Sequence, residues 1–533
     1  MTENKQMKLI KKASMYIDKK KFLKAARCLR SAYKEDGKFN ALILYFLGMV
    51  YDRTGHYIES VNCLVDAVEY LKHPKNVISK DFEYKIFFHL ASAAATAGLT
   101  GNALQFYDEA IKHCNESQKI GILLPYVYTM VSGNTSPEHM MQGLAKINAW
   151  LPPVQEMPQP AIDEKNEAVG DRIHIAYLSP DYRAHVMYNF YYGIFKYYDR
   201  EKFYITCIYL DKQKDDCTKE VQSMVDDFRF CAGMSYPQIV AMLKGMHIDI
   251  AVDLAGHTSN SGLGLFRYRI APVQISGLGW MESTGLKETD YLITDRQIDP
   301  PGKYYISEKP LYLDSCFCYL NDKALPQPEH APCRDKGYIT FGSFNRVNKF
   351  TDPMLIVWRE ILDRVPKARL LLKTKAFNTP KTLFFIKDRL QKIGIDIDRV
   401  MFEGTSKEYM ERYLDVDIAL DTYPYCGGGT TCDALYMGVP VVSLYGERRS
   451  SKFGLSILHG AGLGELAVDT PEAYINLAVR LANDWDTLDA LHVNLRSMMK
   501  KSNIMNGARY AAELEKQYVQ ILQKQEACVL DKF

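Results

Sequence analysis

Gly427, Gly428 and Gly429 run directly into Thr430 and Thr431, and Asp433 follows two residues later. The stretch lies between DIALDT (417–422), which reads as a strand, and TCDALYMG (431–438), which reads as the opening of a helix. At such a turn the free backbone N–H groups and the helix dipole both favour an anion. Glycines let the backbone approach it closely. The hydroxyls of Thr430 and Thr431 can donate to phosphate oxygens, and Asp433, one turn into the helix, can accept from ribose hydroxyls. No lysine follows the glycines as in a P-loop, and the spacing is not GxGxxG, so neither an ATPase nor a dinucleotide enzyme is favoured. Taken alone, the stretch also suits a turn that only packs tightly.

A second strand-to-helix turn, GSFNRVNKFT (342–351), carries Arg346 and Lys349. Beside the glycine turn they would form a diphosphate clamp; alone they also suit plain surface. LSPDYRAHVMYNFY (178–191) places His185 after a strand and before a helix. An imidazole with an unperturbed pKa of ~6.5 suits a general base near neutrality, and a lone histidine equally suits a structural role. DLAGHTSNSGLG (253–264) repeats the arrangement with His257, where a polar loop capping a helix accounts for the residues as well.

These groups need elements to hold them. A chain of 533 residues is too long for one core and suggests roughly three domains. Hydrophobic residues make up 47% and charged residues 24%, the balance of a globular protein in water. The formal charge of +2 makes no bulk case for nucleic acid or an anionic membrane. No apolar run is long enough to span a bilayer and the amino terminus does not read as a secretory signal, so a cytoplasmic protein is expected. The 12 cysteines contain no CxxC pair, and Cys316 and Cys318 lack a second ligand pair, so reduced thiols are expected rather than zinc.

Residues 1–150 carry helical periodicity. Tyr16, Phe22 and Ala32 recur as Tyr51, Tyr57 and Ala67, and Gly55 and Ala67 recur as Gly98 and Ala110. Small residues at fixed positions let antiparallel helices approach, and the spacing resembles the tetratricopeptide repeat, whose period is about 34 residues. A further helix pair is expected from about 117 to 150. The proline-rich stretch 151–171 reads as a linker. Short apolar strands then alternate with helices in two series, 172–332 and 333–533, which predicts two Rossmann-like domains with parallel sheets. Ligands of such sheets sit at the carboxyl ends of the strands.

In this order, after the repeats, LSPDYRAH, DLAGHT, APVQISGLGW, DYLITD, GSFNRVNK and LDTYPYCGGGTTCDALYMGVPVVSLYGERRSS resemble the O-linked N-acetylglucosamine transferase family. The resemblance covers about residues 172 to 525. It implies a GT-B fold and an inverting, metal-independent transfer of a sugar, usually from UDP-GlcNAc, to Ser or Thr of a protein. It makes His185 the family's active-site histidine and Lys349 its diphosphate lysine. It also makes Gly428, Gly429, Thr430, Thr431 and Asp433 the phosphate and ribose contacts, and puts Gly404 and Thr405 in the loop that reads uracil. Arg346 stands where animal members have Gln, Gly429 where they have His, and Tyr409 where they have a nucleotide-contacting His. Asp396/Asp398, Asp415/Asp417 and Asp484/Asp486 have the Asp-x-Asp spacing of metal-dependent transferases, which arises by chance among 64 acidic residues. The expected partners are a UDP-sugar, with no cofactor or metal, and a protein acceptor, flagellin being one candidate. Two alternatives stay open: another UDP-sugar or a non-protein acceptor, and a repeat adaptor whose nucleotide-binding half does not turn over.

Overall fold

Alanine and glycine at repeat positions build the amino-terminal architecture. The computed structural model describes residues 3–34, 37–150, 168–280 and 282–530, so the predicted linker lies almost wholly outside the described residues. Helices α1 (Glu3–Asp18), α2 (Phe22–Ala32), α3 (Asn40–Arg53), α4 (Tyr57–Leu71), α5 (Lys80–Thr96), α6 (Thr100–His113), α7 (Glu116–Ser132) and α8 (Pro137–Trp150) follow in order. Ala25, Ala32, Ala67, Ala103 and Ala110 are 0% exposed, because they sit where neighbouring helices cross. Gly55 and Gly98 stop α3 and α5 at φ +79° and +85°, a left-handed turn that glycine adopts without strain.

The chain divides into two compact units. One holds residues 1–135, 346–359 and 373–405; the other holds 136–345, 360–372 and 406–533. In the first unit the α3–α4 turn packs on the helix Pro380–Ile393: the Tyr57 and Phe385 rings meet edge to face at 5.2 Å. A Cβ on Gly55 would lie 2.7 Å from the Lys381 Cβ.

The second unit contains two parallel sheets. The first is formed by β1 (Ile173–Ser179), β2 (Phe203–Tyr209), β3 (Asp227–Phe230), β4 (Ile250–Asp253), β5 (Val273–Ser276), β6 (Tyr291–Asp295) and β7 (Lys309–Leu313), in the order β3-β2-β1-β4-β5-β6-β7. Six of the seven residues of β1 are buried, as expected of a strand covered on both faces. The carboxyl-terminal helix Gly507–Leu530 provides part of that cover, with the Tyr518 and Tyr177 hydroxyls 3.1 Å apart in the core. The second series comprises β8 (Thr340–Ser343), β9 (Arg369–Lys373), β10 (Val400–Glu403), β11 (Ile418–Leu420), β12 (Val441–Leu444) and β13 (Ala467–Val468). Within this unit its sheet runs β9-β8-β11-β12-β13. In each sheet the strand order reverses beside the first strand of its series, between β1 and β4 and between β8 and β11. Such switch points leave a crevice at the strand ends. No helix among the described residues is long and apolar enough to cross a membrane.

Candidate active site

The glycine turn sits at the second of these switch points. Asp421, at the end of β11, accepts the Gly427 N–H at 2.6 Å, the Thr422 N–H at 2.8 Å and the Ser443 hydroxyl at 2.8 Å. Thr431, 2% exposed, donates its hydroxyl to the Gly427 carbonyl at 3.1 Å, so that side chain is engaged within the turn. The helix Gly429–Tyr436 begins here, and Gly438, φ +85°, turns the chain just after it. The Thr430 hydroxyl approaches Asn345 Oδ1 at 3.3 Å, and the Tyr413 hydroxyl donates to the Thr430 carbonyl at 3.2 Å. A pocket opens between β8 and β11, lined among others by Ser343, Asn345, Tyr413, Asp421, Thr430 and Thr431.

The three glycines differ in what surrounds them. A Cβ on Gly427 would lie 2.5 Å from Thr430 Oγ1 and 2.7 Å from Thr431 Oγ1. On Gly428 it would meet only Phe453, at 3.8 Å. On Gly429 it would lie 2.1 Å from Val186 Cγ2. Asp433 is 7% exposed and accepts the Tyr319 hydroxyl at 2.7 Å; burial pushes its carboxyl up to about 6. Tyr409 places its hydroxyl 3.3 Å from that of Tyr413, and burial raises it.

His185 follows β1 in a loop whose base is pinned by three hydrogen bonds. Ser179 Oγ accepts the Asp181 N–H at 3.0 Å, the buried Tyr182 hydroxyl donates to the Tyr177 carbonyl at 2.9 Å, and Tyr191 donates to the Asp181 carbonyl at 2.7 Å. His185 Nδ1 lies 3.5 Å from Asp181 Oδ1 and 3.4 Å from the Met187 amide. A neutral ring with its proton on Nε2 accepts from Met187; a ring with a proton on Nδ1 faces the Asp181 carboxylate. Val186, the next residue, is the one that touches Gly429, so the loop bearing His185 abuts the glycine turn.

His257 has other surroundings. Its Nε2–H donates to the Thr284 carbonyl at 2.6 Å, its ring packs edge-on to Trp280 at 5.3 Å, and burial lowers its pKa to about 4. That ring holds a loop together and is a poor proton acceptor near neutrality.

Arg346, Lys349, Gly404 and Thr405 belong to the other compact unit. Arg346 is exposed before the short 3-10 turn Val347–Lys349, and Lys349 is 7% exposed. Asn378 brackets Thr405, accepting its N–H and donating to its hydroxyl, each at 2.9 Å. A Cβ on Gly404 would lie 1.9 Å from Asn378 Oδ1. Sequence reasoning missed Asn345, Tyr413, Asp421, Tyr319 and Asp181. Two had a signal: Asp421 ends a predicted strand, and Asp181 stands four residues before His185. Tyr319 had none, being 114 residues from its partner.

A family model for glycosyl transferase family 41 matches residues 138–326 and 333–514. The chain belongs to glycosyl transferase family 41. Family 41 relatives include the probable UDP-N-acetylglucosamine–peptide N-acetylglucosaminyltransferase SPINDLY of Petunia hybrida, 34% identical over 353 residues, 64% of this chain and 38% of that protein. The SPINDLY protein of Arabidopsis thaliana is 35% identical over 360 residues, covering 65% of this chain and 39% of the relative. The probable transferase SEC of the same plant is 29% identical over 371 residues, covering 66% and 37%. The match thus spans under two-fifths of these curated relatives. Among solved structures, an O-GlcNAc transferase mutant of Thermobaculum terrenum superposes with a TM-score of 0.74 at 24% identity, over 98% of this chain and 100% of that one. That likeness shows the fold: helical repeats followed by the two Rossmann-like sheets of a GT-B protein. The expected resemblance to the O-linked N-acetylglucosamine transferases therefore holds at the family level.

Proposed function

We propose that this protein is an inverting glycosyltransferase that moves GlcNAc from UDP-GlcNAc to Ser or Thr of a protein acceptor in the cytoplasm, without a metal. The observation that carries the reading is the contact between the His185 loop and the glycine turn, through Val186 and Gly429. A base and an anion-binding helix start are then neighbours, as transfer from a nucleotide diphosphate requires. His185 Nε2 takes the proton of the acceptor hydroxyl while that oxygen forms a bond to the anomeric carbon. The bond from that carbon to the diphosphate oxygen breaks, and UDP leaves with the electron pair. Asp181 stabilises the imidazolium from the Nδ1 side. Charge growing on the leaving group meets the Thr430 hydroxyl and the amides at the start of the helix Gly429–Tyr436; the family resemblance makes Lys349 the diphosphate lysine, with Arg346 the cation three residues before it. By the family resemblance Asp433 takes the ribose, and Gly404 and Thr405 belong to the loop that reads uracil. Flagellin is a candidate acceptor, met by the repeats.

The test is incubation of the purified chain with UDP-GlcNAc and host lysate. A Ser or Thr peptide should gain the mass of one N-acetylhexosamine residue; failure of UDP to raise the melting temperature would end the transferase reading. Lys349→Ala should lose turnover far more than acceptor binding, because its contact strengthens as the leaving group becomes charged.

A second reading, transfer of a different sugar, is favoured by one observation. Where animal members have a histidine, Gly429 leaves no room for a side chain beside Val186. A thermal-shift comparison of UDP-sugars decides between the two donors.

A further inference from the structure

We propose that Asp215 is a positioning residue for the transfer reaction: it anchors the distal half of the loop that presents His185. The inference rests on the reading of His185 as the base. Asp215 lies in a different βα unit, after β2, and caps the helix Asp216–Met224. Its Oδ1 accepts the Thr218 N–H at 3.1 Å, and its own N–H donates to Thr218 Oγ1 at 3.1 Å, a reciprocal capping box. That box uses one carboxylate oxygen. The other, Oδ2, accepts the N–H of Ala184 at 2.7 Å. Ala184 directly precedes His185.

The geometry gives the bond a specific task. Ser179, Tyr182 and Tyr191 secure residues 177–182, the base of the loop. Beyond them the backbone is irregular until the helix Tyr188–Tyr197 begins, and the Asp215 carboxylate grips it midway. An ionised acceptor makes a short, strong bond to a backbone amide. Burial pushes the Asp215 carboxyl up, but the amides of Ala184 and Thr218 outweigh it and hold it below the usual carboxylate range. It is therefore an acceptor on both oxygens at neutral pH. Serine could cap the helix but is too short to reach Ala184. Asparagine has one acceptor oxygen and would turn its amide N–H groups toward the Ala184 N–H.

The test uses the full chain. Asp215→Ser retains a good helix cap, so its melting temperature should stay near the parent's. Backbone amide exchange across residues 182–187 should rise, and turnover of UDP-GlcNAc with lysate acceptor should fall about 10- to 100-fold with donor KM nearly unchanged, since a displacement of about 1 Å costs that much. Thr218→Val, which removes the capping hydroxyl and leaves the Ala184 bond, should lower the melting temperature and leave turnover near the parent's. Unchanged exchange at 182–187 in Asp215→Ser overturns the anchor whatever His185 does. Equal turnover losses in Asp215→Ser and Thr218→Val overturn it too, by reducing Asp215 to a helix cap. His185→Ala, assayed alongside, separates the two ideas. Full turnover in that variant removes the base reading, and the exchange measurement then decides the anchor alone.

Discussion

His185 and His257 look alike in the sequence, each in a loop after a strand with a glycine or alanine beside it. They differ in the contacts the structure shows. The Thr284 carbonyl occupies Nε2 of His257, whereas the contacts of His185 described above fall on Nδ1. The difference has a measurable sign. An unfolded histidine takes its proton near ~6.5, and the folded His257 near about 4. Between those values the unfolded state binds more protons, so this group's contribution to stability is lost as pH falls. His257→Gln keeps an N–H donor for Thr284 and removes the titration. Its melting temperature should therefore fall less than the parent's when pH is lowered from neutral toward 5, with turnover at neutral pH retained. A steeper fall, or lost turnover, would mean that the ring does more than hold its loop.

The glycine turn was legible as an element. DIALDT and TCDALYMG frame it by pattern alone, and the structure has β11 and the helix Gly429–Tyr436 there. The separate duties of its glycines were not legible, because they depend on neighbours from Asp421 to Val186. Gly427→Ala forces Cβ against the Thr430 and Thr431 hydroxyls. It should cost about 1–3 kcal/mol of stability through overpacking, read as a lower melting temperature. Gly428 has φ −107°, and a Cβ there would make only an ordinary contact, with Phe453 at 3.8 Å. Gly428→Ala should therefore fold like the parent and lose UDP binding, since its methyl group enters the space left for the diphosphate. Normal UDP affinity in that variant would move the diphosphate elsewhere.

At the scale of the molecule, the compact units do not follow chain order: residues 346–359 and 373–405 group with the repeats. Within the second unit, the loop after β12 reaches the first sheet through a buried ion pair. Arg449 is paired with Asp299, their side chains 5% and 2% exposed, and donates to Thr294 Oγ1 at 3.0 Å. Asp299→Ala would remove the direct ion-pair partner of that buried guanidinium, leaving the charges of Glu282 and Asp295 near it. The expected loss is about 3–5 kcal/mol, measured by denaturant unfolding, with a double replacement by apolar residues losing less. A near-neutral Asp299→Ala would show that water or Glu282 compensates.

By itself the sequence determined the helical repeats, the two parallel α/β series and the strand–turn–helix settings of His185 and the glycine run. Those follow from short-range rules: apolar periodicity, helix starts and the backbone freedom of glycine. Only the tertiary structure decided which polar groups are already spent and which glycines have neighbours against them. Thr284 holds His257 from 27 residues away, Tyr319 holds Asp433 from 114 residues away, and Val186 closes over Gly429. A hydrogen bond or a close contact between residues so distant along the chain leaves no mark on local pattern. It exists because folding brings loops and helices from distant parts of the chain against one another.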